Sequence, residues 1–306
     1  MKIFDCFLYS GELEILKLRV ELMAPYVDKF LIIEANQTFS GLSKPMFYLK
    51  HSDYLKKYSA KIDYKPITNL PEFKTAWERE HYLRDQIRLL VNASEEDIII
   101  VADVDEIVNI PHIKQNFPLQ KPAIIELTTY YNFLNLKSNE ICGVTLITPY
   151  KFIKNRFIGN RNYYKDFATD IIKDENGSNG GHFTYQFGYD LSKYIEKIEN
   201  FSHQEFNTPY FLNQKRIKKC LDYNLDVLER WRYTYRVVNL KKTFPELYAL
   251  VCKDKEYQEL FKFYTFRNIL LLSIRFLDPF YVKRKKYPIM VFFSKIKRFF
   301  FFTKAY

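Results

Sequence analysis

The stretch Asp97-Ile-Ile-Ile-Val-Ala-Asp-Val-Asp-Glu106 decides how the chain is read. Its five apolar residues, Ile98 to Ala102, lie between acids. A short β-branched run of this kind predicts a strand buried on both faces, as in the centre of a parallel sheet. The run ends in Asp103 and Asp105. In extended backbone, residues two apart point to one side, so the two carboxylates are expected together where the strand leaves the sheet. Ligands of open α/β sheets bind at that carboxyl edge. Paired hard oxygens there suit Mg²⁺ or Mn²⁺ holding a diphosphate. Taken alone, Asp-x-Asp is more often an acidic turn after a strand.

Working towards the N-terminus, Trp77–Val91 predicts a helix, with Leu83, Ile87 and Leu90 beside Arg79, Glu80, Arg84 and Asp85. The charged set reads either as phosphate contacts or as a helix-surface ion pair. Tyr64–Ile67 predicts a short strand, Ala35–Pro45 a loop over the sheet edge, and Val27–Glu34 a strand ending in an acid. Ile3–Tyr9 predicts the first strand, and Leu13 to Met23 have roughly helical apolar spacing. This strand–helix order points to a parallel α/β sheet. The end of the first strand, around Phe4, Asp5 and Cys6, and Glu34 at the second strand end are expected near a nucleotide.

After Pro111 the pattern is richer in strands. Ala123–Tyr131 and Cys142–Thr148 are expected as strands around a turn near Ser138-Asn139. Asn176–Gly181 is the most flexible stretch by composition, and His182–Gly188 predicts a short aromatic strand. A helix is expected over Leu191–Phe201, leading into Ser202-His203-Gln204-Glu205. The part from Pro209 to about Phe261 reads as mostly helical and charged.

At 306 residues the chain can bury a full core, and its net charge of +11 favours anionic partners. Much of that charge lies in one place. Pro279–Tyr306 holds eight Lys or Arg and no Asp or Glu, with aromatic residues interleaved. It reads as a basic amphipathic segment for an anionic membrane surface, with a core-packing helix and a nucleic-acid tail as rivals. No helix-turn-helix, zinc or single-strand-binding signature supports nucleic acid as a partner. The four cysteines are far apart and form no C-x-x-C, so free thiols in a reducing compartment are expected. The chain opens directly into a strand-like run, and none of its runs reaches the length of a membrane helix. The expected location is cytoplasmic, peripheral on the inner face of the membrane.

Several stretches together resemble glycosyltransferase family seventeen, the family of the bisecting N-acetylglucosaminyltransferase of N-glycans. They are Phe4 to Arg19, Val27 to Glu34 with Thr38-Phe-Ser-Gly41 and Lys44-Pro45, Trp77-Glu-Arg-Glu with Arg84-Asp85, Ile100 to Ile107, Gly181 to Gly188, and Phe201 to Asn207. The set spans roughly residues 1–260. The resemblance implies a GT-A-type fold, a Rossmann-like mixed sheet flanked by helices, with a helical C-terminal extension. A catalytic domain over 1–262 and a basic aromatic tail over 263–306 are expected. The resemblance also implies a UDP-sugar donor, UDP-N-acetylglucosamine, and inversion at the anomeric carbon. The family's Gly-Trp-His is Gly180-Gly181-His182 here. Neither the membrane anchor nor the luminal disulfides of the animal members are expected here, and a microbial relative acting on a glycan or lipid-linked glycan, such as lipopolysaccharide or capsule, is expected.

In that reading Asp105 and Asp103 hold Mn²⁺ or Mg²⁺ on the diphosphate, with His182 or His203 completing the set. Arg79, Arg84 and Arg161 are phosphate contacts. The base is Glu205, with Asp190, Asp170 and Glu106 as further candidates. A nucleotidyltransferase or phosphatase using the same Asp-x-Asp is the rival enzyme.

Overall fold

A computed structural model describes residues 1–230 and 232–262. The basic tail and its expected membrane contact lie outside the described residues. Among the described residues, ten strands form one curled sheet. They are β1 (Ile3–Leu8), β2 (Lys29–Ala35), β3 (Ile62–Ile67), β4 (Ile98–Asp103), β5 (Glu106–Val108), β6 (Ala123–Tyr131), β7 (Leu136–Pro149), β8 (Asp170–Ile172), β9 (Gly180–Thr184) and β10 (Tyr235–Val237). The main path runs β3-β2-β1-β4-β7-β6-β9-β5, with β10 on β7 and β8 on β6.

The first four strands run parallel, in the order β3-β2-β1-β4. β1 therefore lies between β2 and β4, and the chain leaves it in one direction and returns on the other side. Strand alternation explains the two core layers. Ile3 and Phe7 of β1 face one cluster with Ile15, Leu16 and Leu18 of the Leu13–Met23 helix. Phe4, Cys6 and Leu8 face another with Leu83 and Ile87 of the Ala76–Leu90 helix. A sheet covered on both faces needs apolar residues at every position, as Ile98–Ala102 has. The Ala76–Leu90 helix begins at a capping box, Thr75 with Glu78, which satisfies its first free N–H groups.

β7 runs antiparallel to β4 and to β6, so the sheet is mixed beyond its first four strands. The turn between β6 and β7 falls at Asn132–Asn135, with Asn132 at φ 67°, and not at Ser138-Asn139. Ser138 lies inside the 14-residue β7, paired with Tyr235 of β10. Polar Asn139-Glu140 and Gly143 interrupt the strand pattern there, which hides its length in the sequence. The expected aromatic strand over His182–Gly188 is shifted to Gly180–Thr184, and Tyr185 ends it at φ 56°. The part after Pro209 is helical only in pieces, Gln214–Asp222, Leu240–Thr243 and Pro245–Val251, around β10. The Leu191–Asn200 and Gln214–Asp222 helices pack on Tyr131, Phe133 and Leu136 in a third apolar cluster. Among the described residues no disulfide forms: Cys6, Cys142 and Cys220 are buried, and Cys252 is exposed. Among the described residues no helix is long and apolar enough to cross a membrane.

Candidate active site

β4 ends at Asp103, the chain turns through Val104-Asp105, and β5 begins at Glu106. β5 pairs antiparallel with β9, and Glu106 lies opposite His182. The Phe183 amide donates to the Asp105 carbonyl at 2.7 Å, so backbone register alone brings His182 to the turn. Both glycines before His182 are required by close approach. A Cβ on Gly180 would lie 2.1 Å from the Ile107 carbonyl oxygen, and the residue sits at φ +125°. A Cβ on Gly181 would start 2.5 Å from the Phe183 ring, which stacks on Tyr130.

The acids near the turn divide into two kinds. Asp103, Glu106, Asp5 and Glu34 have their oxygens engaged by protein. Asp103 is held by Arg84 at 3.0 Å and by a close pair with Arg161. Burial alone would raise its carboxyl, but Arg161 and Arg84 outweigh burial and hold it well below the usual carboxylate range. Glu106 takes Arg161, the Thr145 hydroxyl at 2.8 Å and the Asp103 amide at 3.2 Å. Asp5 is fully buried in a two-pronged pair with Arg19, at 2.5 and 2.7 Å. The same guanidinium donates to the carbonyls of Asp103 at 2.8 Å, Val104 at 3.1 Å and Glu106 at 2.7 Å. The turn is therefore clamped from below by Arg19. Glu34 accepts from Lys44 at 2.8 Å, the amides of Phe47 and Tyr48 at 2.7 and 2.9 Å, and the Tyr64 hydroxyl at 3.1 Å.

Asp105 is of the other kind. Its side chain is 8% exposed, yet among the described residues it accepts no hydrogen bond. His182 Nε2 lies 3.6 Å from Oδ1 and Lys197 Nζ 3.6 Å from Oδ2. Both separations exceed a hydrogen bond. Burial raises the Asp105 carboxyl, and the Lys197 and His182 contributions only partly offset that. Nearby atoms are unused too: His182 Nδ1 and Glu12 Oε2 are buried without a hydrogen-bond partner. Buried polar atoms are paired in nearly all proteins, so these unpaired ones call for a partner such as water, an ion or a ligand.

The remaining expected site residues fall as follows. Phe4 and Cys6 are buried in the core, and Asp5 and Glu34 are occupied as described. Phe4 also lines a cavity of about 370 Å³ with Lys2, Lys29 and Asp63, near the opposite end of β1 from the turn. Arg79 donates to the Phe39 carbonyl and holds the Thr38–Leu42 loop. Arg84 makes the expected i,i+4 pair with Glu80 at 2.6 Å, but buried, and extends it to Asp103. Asp190 caps the Leu191–Asn200 helix through the Ser192 amide at 3.2 Å. Asp170 pairs with Lys121 at 2.9 Å and lies opposite Ala123, whereas His182 lies opposite Thr129. Six residues of strand put Asp170 about 20 Å from the turn along β6. It lines a separate cavity of about 690 Å³ with His112, Lys121 and Asn179.

His203 and Glu205 form a 2.7 Å pair, 48% and 59% exposed, with His203 packed edge-on to Trp77. His203 is thus engaged by Glu205 and not by Asp105. The neighbouring Ser202 donates to Glu80, which holds Arg84, which holds Asp103, so this loop is tied to the turn by a polar chain. The glycine-rich stretch is also anchored: the Asp174 carboxylate takes Thr128 at 2.7 Å and the Asn179 amide at 3.1 Å. Arg19, Glu12 and Lys197 were not legible as site residues.

Among the described residues no three His, Cys, Asp or Glu come together to hold a metal. Asp105 and His182 are two. Mg²⁺ and Mn²⁺ in phosphate-handling sites commonly take one or two protein ligands, with substrate phosphates and water supplying the rest. Neighbouring ligands of such an ion stand roughly 3 Å apart, so the 3.6 Å pair needs only a small closure. The unbonded Asp105 carboxylate fits a hard cation. His182 fits by position, although Nδ1 lacks the acceptor that usually fixes a ligating ring.

A mixed sheet flanked by helices, with an Asp-x-Asp turn at the carboxyl edge of its fourth parallel strand, defines a Rossmann-like glycosyltransferase fold. The model of glycosyltransferase family 17 matches residues 1–249, and the chain belongs to that family. No curated protein matches the chain. Among solved structures, it is similar to the crystal structure of 4-diphosphocytidyl-2C-methyl-D-erythritol synthase. That similarity has 12% identity and a TM-score of 0.37, over 58% of this chain and 92% of that one.

Proposed function

We propose that this glycosyltransferase is metal-dependent and inverting, and transfers N-acetylglucosamine from UDP-N-acetylglucosamine to a glycan hydroxyl. The acceptor is a bacterial surface glycan or its lipid-linked precursor, reached at the inner face of the membrane through the tail 263–306. The observation that carries the reading is the buried, hydrogen-bond-free Asp105 facing His182 at 3.6 Å, on the Asp-x-Asp turn of a family 17 chain. When bound, Mn²⁺ or Mg²⁺ supplies Lewis-acid stabilisation of the leaving diphosphate. Asp105 would hold it, with His182 beside.

In the transfer, the acceptor oxygen bonds to the anomeric carbon as the bond from that carbon to the β-phosphate oxygen breaks. The bonding pair leaves on the diphosphate, and the acceptor proton passes to a carboxylate base. Glu205 is that base. Glu106 has no free oxygen, Asp170 is remote, and Asp190 caps a helix. Glu205 is exposed, and although burial nudges its carboxyl up, His203 holds it below the usual range, ionised when the hydroxyl arrives.

The test is calorimetric titration of UDP into the protein with Mn²⁺ and with EDTA, repeated on Asp105→Ala. Binding that requires Mn²⁺ and is lost in the variant supports the donor site. A folded wild-type protein that binds no UDP removes it.

A further inference from the structure

The unused groups around Asp105 include a cation. Lys197 rises from the Leu191–Asn200 helix, which Lys193 fixes to Glu14 at 3.1 Å. Its side chain is 20% exposed and passes over the Tyr185 ring, 5.3 Å from the centroid, and the Phe187 ring at 5.9 Å. The ammonium ends between Asp105 Oδ2 at 3.6 Å and Glu12 Oε1 at 3.5 Å. An ammonium has three donors. Among the described residues Lys197 makes one hydrogen bond, the long one to Glu12. A lysine serving only as counter-ion to a buried carboxylate closes to about 2.8 Å.

Its place in the topology says what it faces. Glu12 follows β1 and Asp105 follows β4, and these strands are neighbours, with Leu8 opposite Asp103. The strand order β3-β2-β1-β4 reverses its direction of travel between β1 and β4. The crevice outside the strand ends at such a reversal is where α/β sheets bind ligands. Lys197 bridges the two loops that form its walls.

Building on the glycosyltransferase reading, we propose that Lys197 is a donor-contact residue: its free N–H groups bind the diphosphate oxygens of the nucleotide donor and carry part of the charge that appears there as the sugar leaves. Glu12 is the positioning residue that holds the ammonium in the crevice when no donor is bound. The assignment predicts recognition of the diphosphate and indifference to the nucleoside.

The experiment titrates wild type, Lys197→Met and Lys197→Arg with UDP and, separately, with uridine, in saturating Mn²⁺. Both variants keep a long side chain over Tyr185, and melting curves accompany each. Lys197→Met is expected to weaken UDP about 10- to 100-fold, the effect of losing a charged hydrogen bond, while uridine is unchanged. Lys197→Arg recovers part of the loss. Unchanged UDP affinity in Lys197→Met, or equal losses for UDP and uridine, overturns the assignment and leaves the glycosyltransferase reading standing. Failure of wild type itself to bind UDP overturns both.

Discussion

His182 Nε2 stands 3.6 Å from Asp105 Oδ1 because the strands that carry them are zipped together, with Glu106 opposite His182 and the Phe183 amide on the Asp105 carbonyl at 2.7 Å. The two residues are 77 positions apart in sequence and neither has any freedom of register. Disturbing the strand should therefore disturb the site. Gly180→Ala places a Cβ against the Ile107 carbonyl in backbone that disfavours any side chain. It is expected to cost about 1–3 kcal/mol in urea unfolding and to weaken Mn²⁺-dependent UDP binding. Full retention of both would show that β9 can shift without loss.

Asp105 should be a liability for folding. Its carboxyl is raised by burial, so the folded state favours the proton more than the unfolded chain does. Stability from this group is present below the unfolded value of about 3.8 and is lost as pH rises through the raised folded value. Metal-free Asp105→Asn is expected to melt at or above wild type at pH 7, with the gap closing towards pH 4. A lower melting temperature at pH 7 would mean that the carboxylate is held by contacts stronger than those at 3.6 Å.

Arg161 should matter in the opposite sense. It joins Asp103 and Glu106, and Glu106 is 1% exposed. Arg161→Ala leaves that carboxylate buried and less compensated, and is expected to cost about 3–5 kcal/mol in urea unfolding. Because Asp103 and Glu106 are both held below their ordinary values, their contribution is present above about pH 4.5 and is lost on acidification. The variant should accordingly lose less stability than wild type between pH 5 and pH 3. Equal acid sensitivity would place the effect elsewhere.

Glu205→Gln separates binding from chemistry. Glu205 is 59% exposed, so stability should change by less than about 0.5 kcal/mol, and UDP affinity should hold. Turnover of the UDP-sugar should fall about 10²- to 10⁴-fold, the usual worth of a general base. A turnover rate close to wild type would remove Glu205 as the base.

Much of the architecture was legible locally. The run Ile98–Ala102 is apolar at every position because both faces of β4 are covered, and a pattern of that kind survives in sequence. Ile3–Leu8 and the Ala76–Leu90 helix were legible for the same reason. The Cys142–Thr148 part of β7 was legible too, but its first half was not, since Ser138-Asn139-Glu140 is polar and the strand start there pairs with β10, far away in the chain. Asp103 and Asp105 were expected to face one cation as a pair. The alternation that would place them together stops where β4 ends, and the turn sends Asp103 to Arg84 and Arg161 and Asp105 to His182 and Lys197.

By itself the sequence determined a strand ending in Asp-x-Asp, a parallel α/β first half, and a set of motifs that mark the family, because these depend on neighbours a few residues apart. Only the tertiary structure decided which acids are architecture and which are free to bind. Asp5 meets Arg19 across 14 residues, Glu106 meets Arg161 across 55, and Lys197 reaches Glu12 across 185. A carboxylate is silenced or exposed by the partner that folding brings to it. No spacing along the chain carries that information.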